Sequence, residues 1–386
     1  MNTADKPNPA QPHSLSANDM NDKLSGDPIS NVLLARWIMR THFEQFAGSS
    51  VADIARAYIG VYSNRPTSWQ AVLARNHNMD KSEALRAEDD PELVRIPGMR
   101  RSKFLIPKSM ANMVFGATCL PLLDHEWRLR EAELTLEDYL RIRPELIRFA
   151  SGSPVRLEEI KSFLGLSGSQ ARACTTVATY NGVLVRAPSP NPWSNRWLYA
   201  AAPSELMHSH DALVDHEQLQ WELACHYIEQ YGPVSVEDLA WWMGISKKLA
   251  RLFLEKAGAG EIESGLWLGP LQKKTFESWA TNVSESSDER VRFLPNWDPL
   301  LMGYSPGSRH RSCLGLDQIG AYDHAGNGLP VVLIGSKAVT TWRVTAKGSQ
   351  RLLSIHLPDD ILQKDQQIIQ EAAVMWAERI GAIYIP

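Results

Sequence analysis

The residues best suited to chemistry are cations that cluster along the chain. Arg95, Arg100, Arg101, Lys103 and Lys108 surround a Pro97-Gly98 turn. Arg309-His310-Arg311 follows Tyr304-Ser305-Pro306-Gly307, and Lys247-Lys248 with Arg251 opens a helical stretch. Closely spaced lysines and arginines attract phosphate, and each phosphate contact makes binding salt-dependent. Any single residue among them reads as an ordinary solvated position, and the cluster around Pro97-Gly98 is the one weighted above that reading. One carboxylate stands apart, Asp298 in Trp297-Asp298-Pro299. It is either a base that activates water beside a cleft or, the favoured reading, the cap of the turn or helix that Asp-Pro initiates.

Composition limits the partners. A chain of 386 residues exceeds one ordinary core, so about two to four domains are expected. Hydrophobic residues make up 44% and charged residues 22%, the proportions of a globular protein. The formal net charge is −4, so no global field draws the molecule to nucleic acid and any such contact must be local. Cys119, Cys174, Cys225 and Cys313 lie about fifty or more residues apart, which argues against a zinc site and a disulfide framework. Free thiols in a reducing compartment are the expectation. With no glycine-rich phosphate loop and no metal cluster, neither cofactor nor metal is expected. Met1 to Asp27 is polar and lacks the order of a signal peptide. No apolar run approaches the roughly 18 residues of a membrane span. These features point to a cytoplasmic, nucleoid-associated monomer with a disordered tail over 1–28 and no membrane contact.

The elements that must position these residues show an internal repeat. Pro154-Val155-Arg156-Leu157-Glu158-Glu159-Ile160, Gly165-Leu166-Ser167 and Ala171-Arg172 recur as Pro233-Val234-Ser235-Val236-Glu237-Asp238-Leu239, Gly244-Ile245-Ser246 and Ala250-Arg251, each offset by 79 residues. Such a period indicates two copies of one small domain. In each copy acidic residues open a helix, a glycine ends it in the left-handed conformation and a serine caps the next helix. This is a helix-turn-helix. Strand candidates follow, Gly182 to Val185 with Trp197-Leu198, and Glu261 to Glu263 with Trp267-Leu268. They predict a β-hairpin wing after each copy. The competing reading is a helical or protein-docking repeat with no nucleic-acid role.

A third unit precedes these two. Asn31 to Phe46, a helix from Ser50 ending near Gly60, and a helix from Trp69 to Arg75 lead to a hairpin. Its strands are Leu93 to Ile96 and Phe104 to Ile106, with the basic Met99-to-Lys103 tip between them. Ser109 to Leu123 reads as a further helix. After about Gly269 the texture becomes strand-rich: Pro330 to Gly335, Ala338 to Val344 and Arg351 to Leu357, then an amphipathic helix from Ile361 to Ile380. The expectation is an α+β chain of tandem winged-helix domains with a C-terminal β-barrel-like domain. Its divisions are 29–125, 126–205, 206–270 and 271–386.

Four blocks carry a resemblance. Val291 to Tyr304 (VRFLPNWDPLLMGY) is similar to a segment of the form LLPxFDPLLLGY. Tyr231 to Ser246 is similar to YGPxxxxDhAWWxGhS, Val331 to Arg343 to GVVLVDGxVVGTWR, and Met99 to Pro107 to MRGTLHLVP. In this order and spacing the chain resembles the AlkZ/YcaQ-like winged-helix DNA glycosylase family from about Ile29 to its end. The resemblance implies three winged helices and a barrel arranged around a DNA duplex. It also implies metal-free excision of alkylated purines by water attack at the sugar C1′, on double-stranded DNA that is alkylated or, in some members, crosslinked.

The resemblance further implies where the chemistry lies. The family carries a Gln–apolar–Gln or Gln–apolar–Asp triplet after a glycine in its first unit. Here the segment is Gly60-Val61-Tyr62-Ser63-Asn64-Arg65-Pro66, with Tyr62 at the first glutamine position and Asn64 at the second. Asn64 keeps an amide able to hold water. Tyr62 offers a hydroxyl or a stacking ring, or else packs in a helix-ending turn. Phe104 stands where the family often has histidine. The catalytic candidates are therefore Asn64, Tyr62 and Asp298. The DNA-binding candidates are Arg65, Arg75, Arg95, Arg100, Arg101, Lys103, Lys247, Arg251, Arg309 and Arg311. The alternative is a DNA-binding or damage-recognition protein of the same fold that has lost catalysis.

Overall fold

The computed structural model describes residues 29–46, 48–87, 89–203, 215–283 and 288–386. The tail expected over 1–28 lies outside them. Helix α1 (Asn31–His42) starts at Ser30, whose side chain accepts the Leu33 N–H, and buries Leu34, Trp37 and Ile38. Helix α2 (Val51–Ala57) opens with a reciprocal capping box between Ser50 and Asp53. Gly60 then turns the chain into β1 (Val61–Tyr62) with φ +103°, where a Cβ would stand 2.7 Å from Ile106 and 2.9 Å from Phe104. Only glycine permits that approach. Helices α3 (Ser68–Leu73) and α4 (Lys81–Ala87) lead to the expected hairpin, β2 (Leu93–Pro97) and β3 (Lys103–Pro107), joined by a 3₁₀ turn at Met99–Arg101. Helix α5 (Lys108–Thr118) closes this unit.

The repeat is realised element by element. Helices α6 (Glu126–Arg130) and α7 (Leu136–Ala150) precede α8 (Leu157–Leu164), which ends at Gly165 with φ 64°. Ser167 caps α9 (Gly168–Tyr180), and the hairpin β4 (Leu184–Ala187)/β5 (Leu198–Ala201) follows. In the second copy α10 (His216–Tyr231) precedes α11 (Val236–Met243), Gly244 has φ 77°, and Ser246 caps α12 (Lys247–Lys256). The hairpin there is β6 (Gly260–Glu263)/β7 (Leu266–Leu268). Even the isolated bridges correspond, Val155 to Tyr199 and Val234 to Trp267.

The hairpins differ in what they join. β6 and β7 remain a two-stranded sheet, whereas β4 pairs with β2 through Arg95 and Arg186. One antiparallel sheet, β1-β3-β2-β4-β5, therefore crosses from the first unit to the second. An exposed β2 edge would present unpaired N–H and C=O groups, and β4 covers it.

Helix α13 (Pro270–Ala280) leads to β8 (Val291–Leu294) and the short helices α14 (Pro299–Met302) and α15 (Arg309–Cys313). Strands β9 (Val331–Ile334), β10 (Lys337–Lys347) and β11 (Gln350–Ile355), helix α16 (Gln363–Ile380) and β12 (Ile383–Ile385) complete the chain. The sheet order is β12-β11-β10-β9-β8, antiparallel except for the β11–β12 pair. Its outer strands do not pair with each other, so the barrel-like expectation is corrected to an open sheet. α16 supplies the cover that closure would have given. Trp376 stacks on Phe293 at 6.0 Å between centroids and meets Trp342 edge-on at 6.1 Å.

The chain is thus α+β. One continuous core runs through the first unit, the second repeat copy and the C-terminal sheet. The segment from Leu129 to Leu184 has a core of its own, built on Leu129, Tyr139, Leu146, Ile160, Cys174 and Val177. Among the described residues no helix is long and apolar enough to cross a membrane.

Candidate functional site

The segment after Gly60 is clamped to β3. Tyr62 pairs with Phe104 in the sheet, Ser63 N–H donates to the Lys103 carbonyl at 2.7 Å, and Lys103 N–H donates to Asn64 Oδ1 at 3.1 Å. From the second unit, Trp197 Nε1 donates to the Asn64 carbonyl at 3.3 Å. Asn64 is half-buried, and its Nδ2 has no protein acceptor among the described residues. Its amide end can thus hold a water or a polar atom of a ligand. Being neutral, it can orient water but cannot take up its proton.

Tyr62 takes the packed alternative of its two readings, not the stacking one. It is 7% exposed, its hydroxyl shares a hydrogen bond with Ser102, and its ring stacks on Trp297 at 5.8 Å and meets Phe104 edge-on at 4.9 Å. A ring already packed on Trp297 and Phe104 is not presented to stack on a DNA base. Arg65 lies over Trp297 at 5.0 Å and remains exposed. The cavity behind Tyr62, between Gly60, Met99, Arg100 and Trp242, holds about 10 Å³. That is scarcely enough for one water and far too small for a purine.

Asp298 does not join this group. It caps α14 by accepting the Leu300 N–H at 2.9 Å, and its carboxylate receives both Nη atoms of Arg75 at 2.7 Å. Both side chains are wholly buried, which agrees with the favoured reading of Asp298 as a cap and corrects Arg75 as a DNA contact. With no exposed surface, the Arg75 guanidinium is not open to phosphate and the Asp298 carboxylate is not open to solvent as a base. Burial opposes the Arg75 charge, but Asp298 and Tyr58 more than restore it, so the guanidinium holds its proton more firmly than in water.

Other arginines are likewise structural. Arg95 is 2% exposed, donates to Ser63 Oγ at 3.0 Å and lies over Trp197 at 5.3 Å. Arg311 is 3% exposed, donates to the Tyr304 carbonyl and covers Tyr322 at 3.7 Å. Arg309 binds Glu263, Asn31 and the Ile29 carbonyl, tying the start of α1 to β6. Arg309 and Arg311 are engaged by protein acceptors and Arg95 is buried against Trp197, so the expectation of phosphate contacts at these three is corrected to packing and tethering roles. Arg100 is half-buried with its guanidinium 3.5 Å from the centroid of Trp241. Lys247 is exposed but bonded to Glu237 at 2.7 Å, and Arg251 is exposed.

What the fold does assemble is a cation cluster at the seam between the first two units. Lys103 Nζ donates to the Tyr180 hydroxyl and lies 4.1 Å from its ring, and that hydroxyl donates to the Arg101 carbonyl at 2.7 Å. Arg128, from α6, sits 5.7 Å from the same ring, and Arg186, from β4, lies over Trp197 at 5.6 Å. Arg128 Nε and Arg186 Nε are buried without a hydrogen-bond partner among the described residues. Among the described residues none of Arg101, Lys103, Arg128 and Arg186 forms an ion pair with a carboxylate. Burial first, then Arg186 and Arg128, push the Lys103 ammonium down to about 7. Burial is also what raises Tyr180.

Arg100 and Arg101 at the hairpin tip, and Trp297 against Tyr62, have φ of 50°, 59° and 53°. Left-handed non-glycine residues are costly and gather where the surroundings hold a functional shape. Arg128, Arg186 and Tyr180 escaped the sequence reading, because they reach Lys103 only through the β2–β4 pairing. The basic residue beside an aromatic at Trp127-Arg128 was the available signal.

This fold is one that a DNA glycosylase uses. The structure of Streptomyces sahachiroi DNA glycosylase AlkZ is similar with a TM-score of 0.68, at 16% identity, over 92% of this chain and 98% of that one. The family described as "DNA glycosylase AlkZ-like" matches residues 61–378, and the chain belongs to this AlkZ-like DNA glycosylase family. Curated protein sequences give no match.

Proposed function

We propose that the protein is a monofunctional DNA glycosylase that excises alkylated purines from duplex DNA, acting as a cytoplasmic monomer. The repeat copies and the first unit serve as winged helices. Arg65, Arg101, Lys247 and Arg251, joined by Arg128 and Arg186, meet the phosphates, with Lys103 among them at the seam. The observation that carries the reading is the basic cluster of Arg101, Lys103, Arg128 and Arg186, which has no carboxylate partner among the described residues and whose Lys103 holds the Asn64 amide through its main-chain N–H. Clustered cations, partly shielded from bulk water at Arg128 and Arg186, attract phosphate and release its counterions.

The residues also bear on the substrate. Asn64 orients a water but supplies no base, and Asp298 is locked to Arg75. Such a site suits a leaving group that needs little general-acid or general-base help. A purine made cationic by N-alkylation departs as a neutral molecule, which leaves the enzyme to orient water and tolerate an oxocarbenium-like sugar. The experiment is base release from a methylated duplex, scored as alkali-labile abasic sites. Wild-type protein is expected to generate them, and Asn64→Ala to slow them by about 10²-fold. Salt-sensitive binding without any base release would retire the reading.

The second reading, a catalytically silent damage-binding protein, draws on the buried position of Tyr62. Under it the same duplex is bound and returned intact.

A further inference from the structure

We infer that the Lys103 amine captures the abasic sugar left by base excision, forming a reversible imine with the C1′ aldehyde and so holding the product. This rests on the glycosylase reading for the arrival of an abasic site beside Asn64. It goes beyond that reading in assigning a reversible covalent hold on the product, without strand cleavage.

The geometry supports it in three respects. First, Lys103 is anchored where excision would occur. Its main-chain N–H holds Asn64 Oδ1 and its carbonyl holds Ser63 N–H, so the amine belongs to the residue that clamps the water-positioning amide. Second, among the described residues the amine is held by a hydroxyl and not by a carboxylate. Its partner is Tyr180 OH, which in turn donates a hydrogen bond to the Arg101 carbonyl at an exposed contact. A lysine kept for charge pairing would face Asp or Glu. The groups facing this one are Arg128 from α6, Arg186 from β4, Tyr180 from α9 and Arg101 from the hairpin tip. Third, those neighbours discharge the amine. Burial and two guanidinium groups bring its proton affinity near neutrality, so a substantial fraction is the free nucleophile.

The chemistry balances without a further reactant. The abasic sugar opens to its aldehyde, and the neutral amine adds to C1′ to give a carbinolamine. A proton moves from nitrogen to the hydroxyl, water leaves, and a C=N bond joins Nζ to C1′. Hydrolysis runs the sequence backwards and frees both partners. Arg128 and Arg186, both half-buried beside the amine, stand to bind the flanking phosphates while the imine persists. A step that breaks the strand would need a base at C2′, and no such step is part of the inference.

The test uses a duplex carrying one preformed abasic site, so that the protein need not excise a base. The full-length protein is mixed with it at concentrations that saturate binding, and borohydride is added to reduce any imine to a stable amine. The expected result is a covalent protein–DNA band. Proteolysis and mass spectrometry should place the reduced sugar remnant on Lys103. Lys103→Arg and Lys103→Gln, each saturating the duplex, should lose the band to background. If wild-type protein binds the duplex but traps nothing, or if the remnant maps to another amine, the inference is wrong and the glycosylase reading stands. If the protein does not bind the duplex at all, both fall.

Discussion

Arg75 and Asp298 form a two-pronged ion pair, each Nη–Oδ contact 2.7 Å long, with both side chains at 0% exposure and 223 residues apart in sequence. The pair fastens the first unit to the start of α14, and Tyr58 completes it by accepting from Arg75 Nε at 2.8 Å. Removing one partner leaves a buried charge uncompensated, which is destabilising by about 3–5 kcal/mol. Asp298→Ala is therefore expected to lower the denaturant midpoint sharply, while the fraction that remains folded excises bases at the wild-type rate. An Asp298→Ala protein with an unchanged midpoint and no excision would restore the carboxylate as a base.

The cation cluster makes a separable prediction about DNA. Arg101→Gln, Arg128→Gln and Arg186→Gln should each weaken duplex binding irrespective of sequence and lower the salt-dependence slope by about 1. Arg95→Gln and Arg311→Gln remove buried contacts and should shift the melting temperature while leaving the slope alone. Fluorescence anisotropy across a salt series distinguishes the two groups.

The contrast within that series shows what the sequence could reveal. The repeat was legible because its cues are local: a left-handed glycine at Gly165 and Gly244, a capping serine at Ser167 and Ser246, and the hairpins that follow. The basic hairpin was legible for the same reason. The fate of each arginine was not. Arg95, Arg100 and Arg101 look alike in sequence, yet one is buried under Trp197, one is stacked on Trp241 and one is free at the tip. Those outcomes depend on aromatic residues delivered from the second and third units. The open C-terminal sheet escaped for a related reason, because strand order is non-local and α16 decides whether the sheet must close.

Tyr62 offers a direct test of whether the altered triplet is structural. Tyr62→Phe removes only the hydroxyl bonded to Ser102 and should cost about 1 kcal/mol of stability, with excision intact. Tyr62→Ala empties the space between Trp297 and Phe104 and should cost about 3–5 kcal/mol. Chemical denaturation of both variants, beside their base-release rates, checks this. Loss of excision in Tyr62→Phe at near-normal stability would give the hydroxyl a chemical role.

The protonation of Lys103 can be read from stability alone. Its pKa falls from the ordinary lysine value of 10.5 to about 7 because burial, Arg186 and Arg128 all disfavour the ammonium. Between those values the unfolded chain binds more protons than the folded one, so folding becomes more favourable as pH rises. Below pH 7 the folded protein bears the full penalty of the buried charge, and by about pH 10 the penalty has gone. Lys103→Met carries no such penalty at any pH. Its melting temperature should therefore exceed that of wild type by the most at or below neutrality, and the gap should shrink steadily towards alkaline pH. Other titrating groups act equally on both proteins and cancel in the difference. A gap that stays constant across the range would mean an ordinary ammonium. Such a group is too fully protonated at neutral pH to attack an aldehyde, so this thermal measurement bears on the imine before any DNA is added.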